Sequence, residues 1–188
     1  MPETTRGAHE RVLEAAARKG VELEIVSFPE STHTAEEAAR AVGAELGQIV
    51  KSLVFVAPRD DGSLDPVIAL AAGPDRVDPA RLAAVTGEPG IRRASAREAN
   101  ELTGFVIGGI PPIGHARQVR VVMDPALDRH AVIWAAAGTQ NAVFATSPAT
   151  LRALADATVA PITIDPAGGG RPDSAVPGIG TAGAPPEA

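Results

Sequence analysis

Two apolar runs on either side of a short polar turn constrain the fold of this chain more than any other feature. The runs cover residues 49–57 and 66–72. The segment between them contains Asp60, Asp61 and Gly62, and these residue types favour tight turns. Apolar runs joined by such a turn are typical of paired strands. The sequence therefore predicts a β-hairpin.

Helices and further strands are interleaved with this hairpin. Two capping boxes, Thr34 with Glu37 and Ser95 with Glu98, each predict the start of a helix. Helices are predicted at 5–19, 34–43, 78–87, from 95 onward and at 147–155, and strands at 21–28, 119–123, 131–137, 142–145 and 158–164. Consecutive strands joined by short turns indicate an α+β fold with a mixed, largely antiparallel sheet and helices packed on it. The missing strand–helix alternation argues against a doubly wound nucleotide fold.

One domain with a tail is expected. Residues 1–165 are predicted to fold, whereas 166–188 are rich in Gly and Pro and predict a flexible tail, because such a segment buries too little surface to offset its ordering entropy. The chain has no cysteine, which excludes disulfides, thiolate zinc sites and a cysteine nucleophile. No apolar stretch approaches the roughly 20 residues of a membrane span, and the N-terminus lacks a signal-peptide pattern. We therefore expect a cytoplasmic protein without a membrane partner.

Familiar catalytic motifs are absent from the chain. There is no G-x-S-x-G, no H-E-x-x-H and no phosphate-binding G-x-x-x-x-G-K-[ST] loop. The histidines lack metal-ligand spacing, and the two acids that follow His33 fall in the first turn of a predicted helix, where the helix dipole favours them. The net charge of −6 argues against bulk electrostatic binding to DNA, but a local basic patch is compatible with it. Neither a metal nor a cofactor is expected.

Lys51 lies within the first apolar run, and Lys19 is the only other lysine among 17 basic residues. Two interpretations of Lys51 are open. Its stem can pack on apolar surface while the ammonium reaches water. Alternatively, the ammonium lies at the mouth of a pocket, where partial desolvation strengthens its attraction for an anion or a carbonyl.

A second notable segment, residues 103–115, combines glycines and prolines. Gly108 and Gly109 allow a ligand to approach the main chain, whereas Pro111 and Pro112 carry no N–H and stiffen the loop. Anion-binding donors here would come from the amides of 108–110 and 113–115. The alternative interpretation is a rigid connector before the next strand.

In combination, these segments resemble the YbaK/ProX-type aminoacyl-tRNA deacylases, which are relatives of the editing insertion domain of bacterial prolyl-tRNA synthetase. The resemblance spans about residues 21–164. It is carried by Thr34, Ile49-Val50-Lys51-Ser52-Leu53, Thr103-Gly104-Phe105, Gly108-Gly109-Ile110-Pro111-Pro112-Ile113-Gly114 and Ala137-Gly138-Thr139. It implies a barrel-like sheet with surrounding helices. It also implies a metal-independent trans-editing enzyme that hydrolyses the ester of mischarged aminoacyl-tRNA without a protein nucleophile.

The resemblance further implies roles for individual residues. Lys51 would contact the terminal nucleotide, through its phosphate. Gly108 and Gly109 would shape the loop that holds the ester carbonyl, with Gly138 on the opposite wall, and a ribose hydroxyl of the terminal adenosine would help to place the water. The substrate-binding residues would be His33, Thr34, Pro111, Gly114, Ala137 and Thr139.

The sequence departs from cysteinyl-type members of that family at one wall. Ala136-Ala137-Gly138-Thr139 replaces their serine-glycine-glycine turn, and Val143 stands where they carry an acid. This departure argues against cysteinyl specificity, and the small residues of the wall predict a small aminoacyl group. It also leaves open an alternative function, a non-catalytic module that binds the tRNA acceptor end or an aminoacyl-nucleotide.

Arginines near the loop are candidates for phosphate contacts, and surface arginines that keep the protein soluble are the other interpretation. They are Arg92, Arg93, Arg97, Arg117 and Arg120. The expected partners are the acceptor end of a mischarged tRNA and an aminoacyl-tRNA synthetase.

Overall fold

A computed structural model describes residues 3–32 and 34–164. The helices are α1 (Glu3–Ala17), α2 (Ala35–Val42), α3 (Pro79–Thr86), α4 (Ala96–Thr103) and α5 (Pro148–Ala155), with 3₁₀ turns at Leu46–Gln48 and Pro125–Arg129. The strands are β1 (Ile25–Ser27), β2 (Ile49–Pro58), β3 (Leu64–Ala72), β4 (Arg76–Val77), β5 (Arg92–Arg93), β6 (Arg120–Met123), β7 (Ile133–Ala136), β8 (Ala142–Thr146), β9 (Thr158–Val159) and β10 (Thr163–Ile164). None of the helices in this part is long and apolar enough to cross a membrane.

An eight-stranded sheet forms the centre of the fold, in the order β1-β8-β7-β2-β3-β6-β9, with β5 paired to β2. The predicted hairpin is β2–β3, which pairs from Val50 opposite Ala72 to Pro58 opposite Leu64. Strand β2 is parallel to β7, and β6 is parallel to β3 and β9, whereas the other pairs in this sheet are antiparallel. Strands β4 and β10 form a separate two-stranded sheet. The predicted α+β class with a mixed, largely antiparallel sheet is confirmed.

Side chains of the hairpin alternate between two cores, as the period of two in a strand requires. Val54 of β2 and Ile68 of β3 face the larger core, which helices α1, α4 and α5 cover with apolar side chains such as Val12. Phe55 and Val67, each one residue along, face a smaller core together with Leu82 of α3. The two faces of β2 therefore pack against different helices and strands.

The predicted strand at 158–164 is wrong as a single element. Residues 158–159 form β9 in the main sheet, whereas 163–164 form β10 and pair with β4. The cause is Asp124, which is 3% exposed and accepts hydrogen bonds at Oδ2 from the amides of Ile162 and Thr163 and from the Thr163 hydroxyl, at 2.9–3.0 Å. These bonds take the amides that a continuous ladder would use, so the chain changes partner. The short strands β4 and β5 were not predicted.

Both predicted capping boxes are present. Ser95 accepts from the amide of Glu98 at 3.2 Å, and the Glu98 carboxylate accepts from the amide of Ser95 at 2.8 Å. This cap begins α4, which ends at Gly104 and leads directly into the glycine–proline segment. The cap therefore fixes the start of the helix that precedes this segment.

We expect the Ser95→Ala substitution to lower the free energy of unfolding by about 1 kcal/mol, because an amide of the first turn loses its acceptor. Chemical denaturation measures this difference. Ser63→Ala, which alters a hairpin turn far from any helix start, controls for general effects of removing a hydroxyl. Equal stability of Ser95→Ala and the wild-type protein would contradict the role of this cap.

Candidate active site

A cavity of about 210 Å³ lies between the start of β2, the N-terminus of α2, the glycine–proline segment and the turn between β7 and β8. Among the described residues, its lining contains two cationic side chains, Lys51 and Arg93, and no carboxylate. The polar side chains of the lining, apart from these cations, are those of Thr32, Thr34, Ser52, Trp134, Thr139 and Gln140. The cavity is thus mostly apolar, with its positive charge on one side.

Strand β2 supplies the cationic edge of the cavity. Lys51 is half-buried, and its Nζ donates to the backbone carbonyl of Asp75. Burial is the main cause that lowers the pKa of Lys51, and the Arg93 guanidinium lowers it further, whereas the carboxylates of Asp75 and Glu36 raise it. An ammonium has three donors, so the bond to Asp75 leaves N–H groups for a ligand.

The glycine–proline segment is fixed at its start by buried contacts. The Thr103 hydroxyl donates to the carbonyl of Ala99 at 2.6 Å and accepts from the amide of Phe105 at 3.1 Å. Arg11 of α1 donates to the carbonyl of Gly104 at 2.8 Å, and its guanidinium lies 4.0 Å from the centre of the Phe105 ring. A cation over an aromatic face is attracted to it. Helix α1 therefore braces the segment from outside the cavity.

The end of the segment is fixed by His115, whose Nε2 lies 2.8 Å from the carbonyl of Pro111. A carbonyl can only accept, so Nε2 carries the proton and donates. Burial lowers the pKa of His115, which favours the neutral ring at neutral pH. This bond closes the turn that contains the two prolines.

Gly108 and Gly109 differ in what their amides do. The Gly109 amide donates to the carbonyl of Val106 at 3.0 Å. Within the described residues, the amides of Gly108 and Ile110 have no acceptor, and both residues line the cavity. Among residues 108–110, the amides of Gly108 and Ile110 are therefore the candidate donors for a carbonyl or an anion, whereas the amide of Gly109 is already engaged.

Gly109 has a steric role instead. A Cβ placed on it would lie 2.5 Å from the carbonyl carbon of Thr139 and 2.7 Å from its Cα. Gln140 adds a polar contact between the same two segments, since its Nε2 donates to the carbonyl of Ile107 at 2.8 Å. The two walls of the cavity therefore touch backbone to backbone, and only glycine fits at this contact.

Thr139 on the opposite wall belongs to a hydrogen-bond chain. Its hydroxyl donates to Oδ1 of Asn141 at 3.0 Å and lies 3.1 Å from Nε2 of His9, so the histidine nitrogen is the donor in that contact. Asn141 in turn donates to the carbonyl of Phe28 at 3.0 Å. The chain fixes the orientation of the Thr139 hydroxyl at the cavity wall.

The structure brings together some of the residues predicted for the site. Lys51, Gly108, Thr34 and Thr139 line the cavity, and Gly109 forms the contact between its walls. His33 lies outside the described residues.

Four other predicted residues do not line the cavity. Gly114 (φ +79°) and Gly138 (φ +98°) approach the backbone of α1, where an added Cβ would lie 2.9 Å from the carbonyl oxygen of Arg11 or 3.0 Å from that of Ala8. Pro111 and Ala137 are buried. These residues support the two walls from behind.

Some lining residues were not predicted. Trp134 and Gln140 carry no motif, and only the pairing of β7 with β2 and the packing of the loop bring them to the cavity. Ser52 lies on the strand face opposite Lys51, and its buried Oγ has no partner within the described residues. Because side chains alternate between the two faces of a strand, the sequence of residues 49–57 could have assigned Ser52 and Lys51 to opposite faces.

The five candidate arginines are separated by the fold. Arg92, Arg97 and Arg120 form ion pairs with Glu98, Glu101 and Glu88 at 2.5–2.7 Å. Arg93 alone among the five lines the cavity, and no carboxylate of the described residues pairs with it. In the same part of the chain, no group of three or more His, Asp or Glu side chains is arranged to hold a metal ion.

Comparison with known proteins places this geometry in a family. The family model described as the aminoacyl-tRNA editing domain matches residues 29–177. The multifunctional Ser/Thr-tRNA deacylase ProXp-y of Escherichia coli K12 is 31% identical over 129 residues, which are 68% of this chain and 76% of that protein. The proline–tRNA ligase of Limosilactobacillus fermentum is 35% identical over 95 residues, half of this chain but only 17% of the ligase.

A solved structure agrees with these relatives. A crystal structure described as a "putative trans-editing enzyme for prolyl tRNA synthetase" superposes with a TM-score of 0.76 at 42% identity, and the match covers 84% of this chain and 98% of that one. The lining residues of the cavity and its glycine–proline wall lie within the residues that the family model matches. The chain belongs to the aminoacyl-tRNA editing domain family.

Proposed function

We propose that this protein hydrolyses the ester between a small amino acid and the 3′ end of a mischarged tRNA. The observation that carries the proposal is the cavity, in which the free amides of Gly108 and Ile110 share a small volume with two cationic side chains. Ligand pockets for larger molecules span about 300–1,000 Å³, so a cavity of about 210 Å³ suits a small aminoacyl group. The family and its deacylase relatives support the reaction class.

The proposed mechanism assigns main-chain donors to the reacting ester. The amides of Gly108 and Ile110 hold the carbonyl oxygen and stabilise the negative charge that develops on it when water attacks. The ester C–O bond then breaks, the amino acid leaves with the new oxygen, and the ribose oxygen takes up a proton. A ribose hydroxyl of the terminal adenosine orients the water, so the reaction proceeds without a metal or a protein nucleophile.

Lys51 is proposed to hold the phosphate of the terminal nucleotide. Its ammonium is at the edge of the cavity, is only half-exposed, and retains donors that Asp75 does not use. A charge-assisted bond in a partly desolvated place is stronger than the same bond in water. Thr34, Thr139 and Ser52 offer hydroxyls to the aminoacyl group.

The proposed partners are the acceptor end of tRNA and the synthetase that mischarges it, and the proposed compartment is the cytoplasm. The relationship of half of the chain to a segment of a proline–tRNA ligase supports a link to prolyl-tRNA synthesis. Contact with only the acceptor end is compatible with the net charge of −6, because the basic groups needed are few and local.

A panel of mischarged tRNAs tests the proposed substrate class. We expect esters of Ala, Ser, Cys and Thr all to be cleaved, at rates within about 200-fold of one another, because apolar contacts discriminate a methylene by only about 1–3 kcal/mol. Esters of Lys and Arg should be cleaved more slowly, because the lining offers no carboxylate to a buried cation. Initial rates at fixed enzyme and substrate concentrations give the comparison. Preferential cleavage of lysyl, arginyl or large aromatic esters would contradict this assignment.

A further inference from the structure

A second, open cleft of about 800 Å³ lies next to the cavity. Three residues, Lys51, Leu53 and Arg93, line both spaces and form the wall between them. The other lining residues of the cleft are Phe55, Pro74, Asp75, Arg76, Val77, Asp78, Pro79 and Ile164. The cleft therefore continues from the cationic edge of the candidate active site.

The pleat of β2 explains why this wall exists. Lys51, Leu53 and Phe55 are two residues apart and lie on one face of the strand, and Arg93 of β5 pairs opposite Phe55 in an antiparallel register. Directly opposed residues lie on the same face of a sheet. Lys51, Leu53 and Arg93 therefore lie on the cleft side of the sheet, and the Phe55 ring is buried beneath Arg93.

Arg93 is available to an anion. Its guanidinium lies over the Phe55 ring, 5.3 Å from the ring centre, and no carboxylate of the described residues forms an ion pair with it. Its neighbour Arg92, in contrast, is already paired with a carboxylate, that of Glu98, at 2.7 Å. A planar guanidinium that is held on a ring can bind a phosphate and also offers a flat surface to a base.

Two carboxylates, those of Asp75 and Asp78, line the cleft together with the cations Lys51, Arg76 and Arg93, so the positive charge of the cleft is only partly compensated. Asp78 is engaged in the cap of α3, where it accepts from the amide of Ala80 at 2.8 Å, and it lies 3.8 Å from Arg81. Asp75 faces Lys51 and raises its pKa. Arg76 is exposed at the cleft on β4, and the floor includes the apolar Leu53 and Val77. Cations around an apolar floor are typical of grooves that bind single-stranded nucleic acid.

We propose that this cleft binds the unpaired nucleotides that precede the terminal adenosine of the tRNA, and that Lys51 and Arg93 bind the phosphate that joins them to it. The inference rests on the proposed function, because it places the aminoacyl group in the cavity and the phosphate of the terminal nucleotide at the edge of the cavity. Contacts of this kind position the acceptor end through its backbone and do not read its sequence. The cleft thereby aligns the ester with the amides of Gly108 and Ile110.

Two probes separate the cleft from the phosphate contact. The ribotrinucleotide CCA, with a 5′ fluorophore, carries the terminal adenosine, the joining phosphate and two further nucleotides. Adenosine 5′-monophosphate, used as a competitor, carries the adenosine and its phosphate without those two nucleotides. We expect the wild-type protein to bind CCA at least about fivefold more tightly than the monophosphate, because each stacked base adds affinity. Arg93→Ala should weaken both probes about fivefold and reduce the salt dependence of CCA binding by about 0.7 in logarithmic slope.

Arg76→Glu should weaken CCA about fivefold and leave the monophosphate unchanged, because Arg76 lines only the cleft. Arg76→Ala repeats the test without a new charge and should give a smaller loss of the same kind. Arg97→Glu is the matched control, since Arg97 is exposed on α4 and pairs with Glu101 away from the cleft. Melting temperatures check that each variant is folded.

Equal binding of the two probes by the wild-type protein would overturn the proposal, as would equal effects of Arg76→Glu and Arg97→Glu on CCA. The assay needs no turnover. If CCA binds as expected but no aminoacyl ester is hydrolysed, the proposed hydrolase function fails while the nucleotide cleft stands. If esters are hydrolysed but Arg76→Glu binds CCA like the wild-type protein, the cleft proposal fails alone.

Discussion

Replacing Gly109 with alanine is expected to lower kcat/KM for deacylation about 100-fold. The new Cβ would lie 2.5 Å from the carbonyl carbon of Thr139, far inside the usual carbon–carbon contact of about 3.5–4.0 Å, so the two walls must move apart by about 1 Å. A displacement of this size at a catalytic arrangement costs about two orders of magnitude in rate. The adjacent amides of Gly108 and Ile110 would move with the wall.

The matched control for this substitution is Gly90→Ala. A Cβ on Gly90 meets nothing within 4 Å, so this variant should keep the wild-type rate. Steady-state kinetics with one small aminoacyl ester, together with melting temperatures, measures the difference. A Gly109→Ala protein that is folded and retains the wild-type kcat/KM would show that the contact between the walls does not position the reacting groups.

Lys51→Ala is expected to lower deacylation at least about tenfold, which corresponds to the loss of about 1.4 kcal/mol of charge-assisted contact. Stability should change less than activity, because among the described residues the hydrogen bond of the Lys51 ammonium is the one to the carbonyl of Asp75. Lys19→Ala is a suitable control, since Lys19 is the other lysine and binds Asp156 on the exposed surface at 2.6 Å.

A substrate titration of Lys51→Ala separates the effect on kcat from the effect on KM. If Lys51 binds the terminal phosphate, KM should rise, and Lys51→Arg should recover part of the lost affinity because it keeps a positive charge. Wild-type kinetics of Lys51→Ala would remove Lys51 from the site, and equal losses in Lys51→Ala and Lys19→Ala would indicate an effect of net charge alone.

The hairpin and the helix starts could be predicted from sequence because their causes are local. The polar turn at 58–63 joins two apolar runs. Thr34 and Ser95 are each followed three residues later by the glutamate that completes a capping box. The predicted strand at 158–164 was wrong because its cause is distant: Asp124 takes two of its amides across 38 and 39 residues of sequence. Pro161, which has no amide donor, is a local signal for a break within 158–164, but nothing in the segment indicates the change of strand partner.

The site was predictable to the extent that its motif reflects contact with the cavity. Lys51 and Gly108 line the cavity. Gly114 and Gly138 belong to the same set of matching segments, but they are glycines because α1 passes close behind them. Sequence spacing does not distinguish a glycine beside a ligand from a glycine beside a helix. Arg93 could not be separated from Arg92 either, because only the pairing of β5 with β2 assigns them to opposite faces.

Release of free amino acid under multiple turnover tests the central claim most directly. Purified protein is mixed with at least a tenfold excess of tRNA mischarged with labelled alanine or serine, and released label is counted over time. Gly109→Ala, which is expected to be about 100-fold slower, is the comparison. Continued release beyond one equivalent, with tRNA recovered intact, is the result expected of a deacylase. Tight binding of the aminoacyl-tRNA without release of amino acid above the uncatalysed rate would contradict hydrolysis and indicate a non-catalytic binding module.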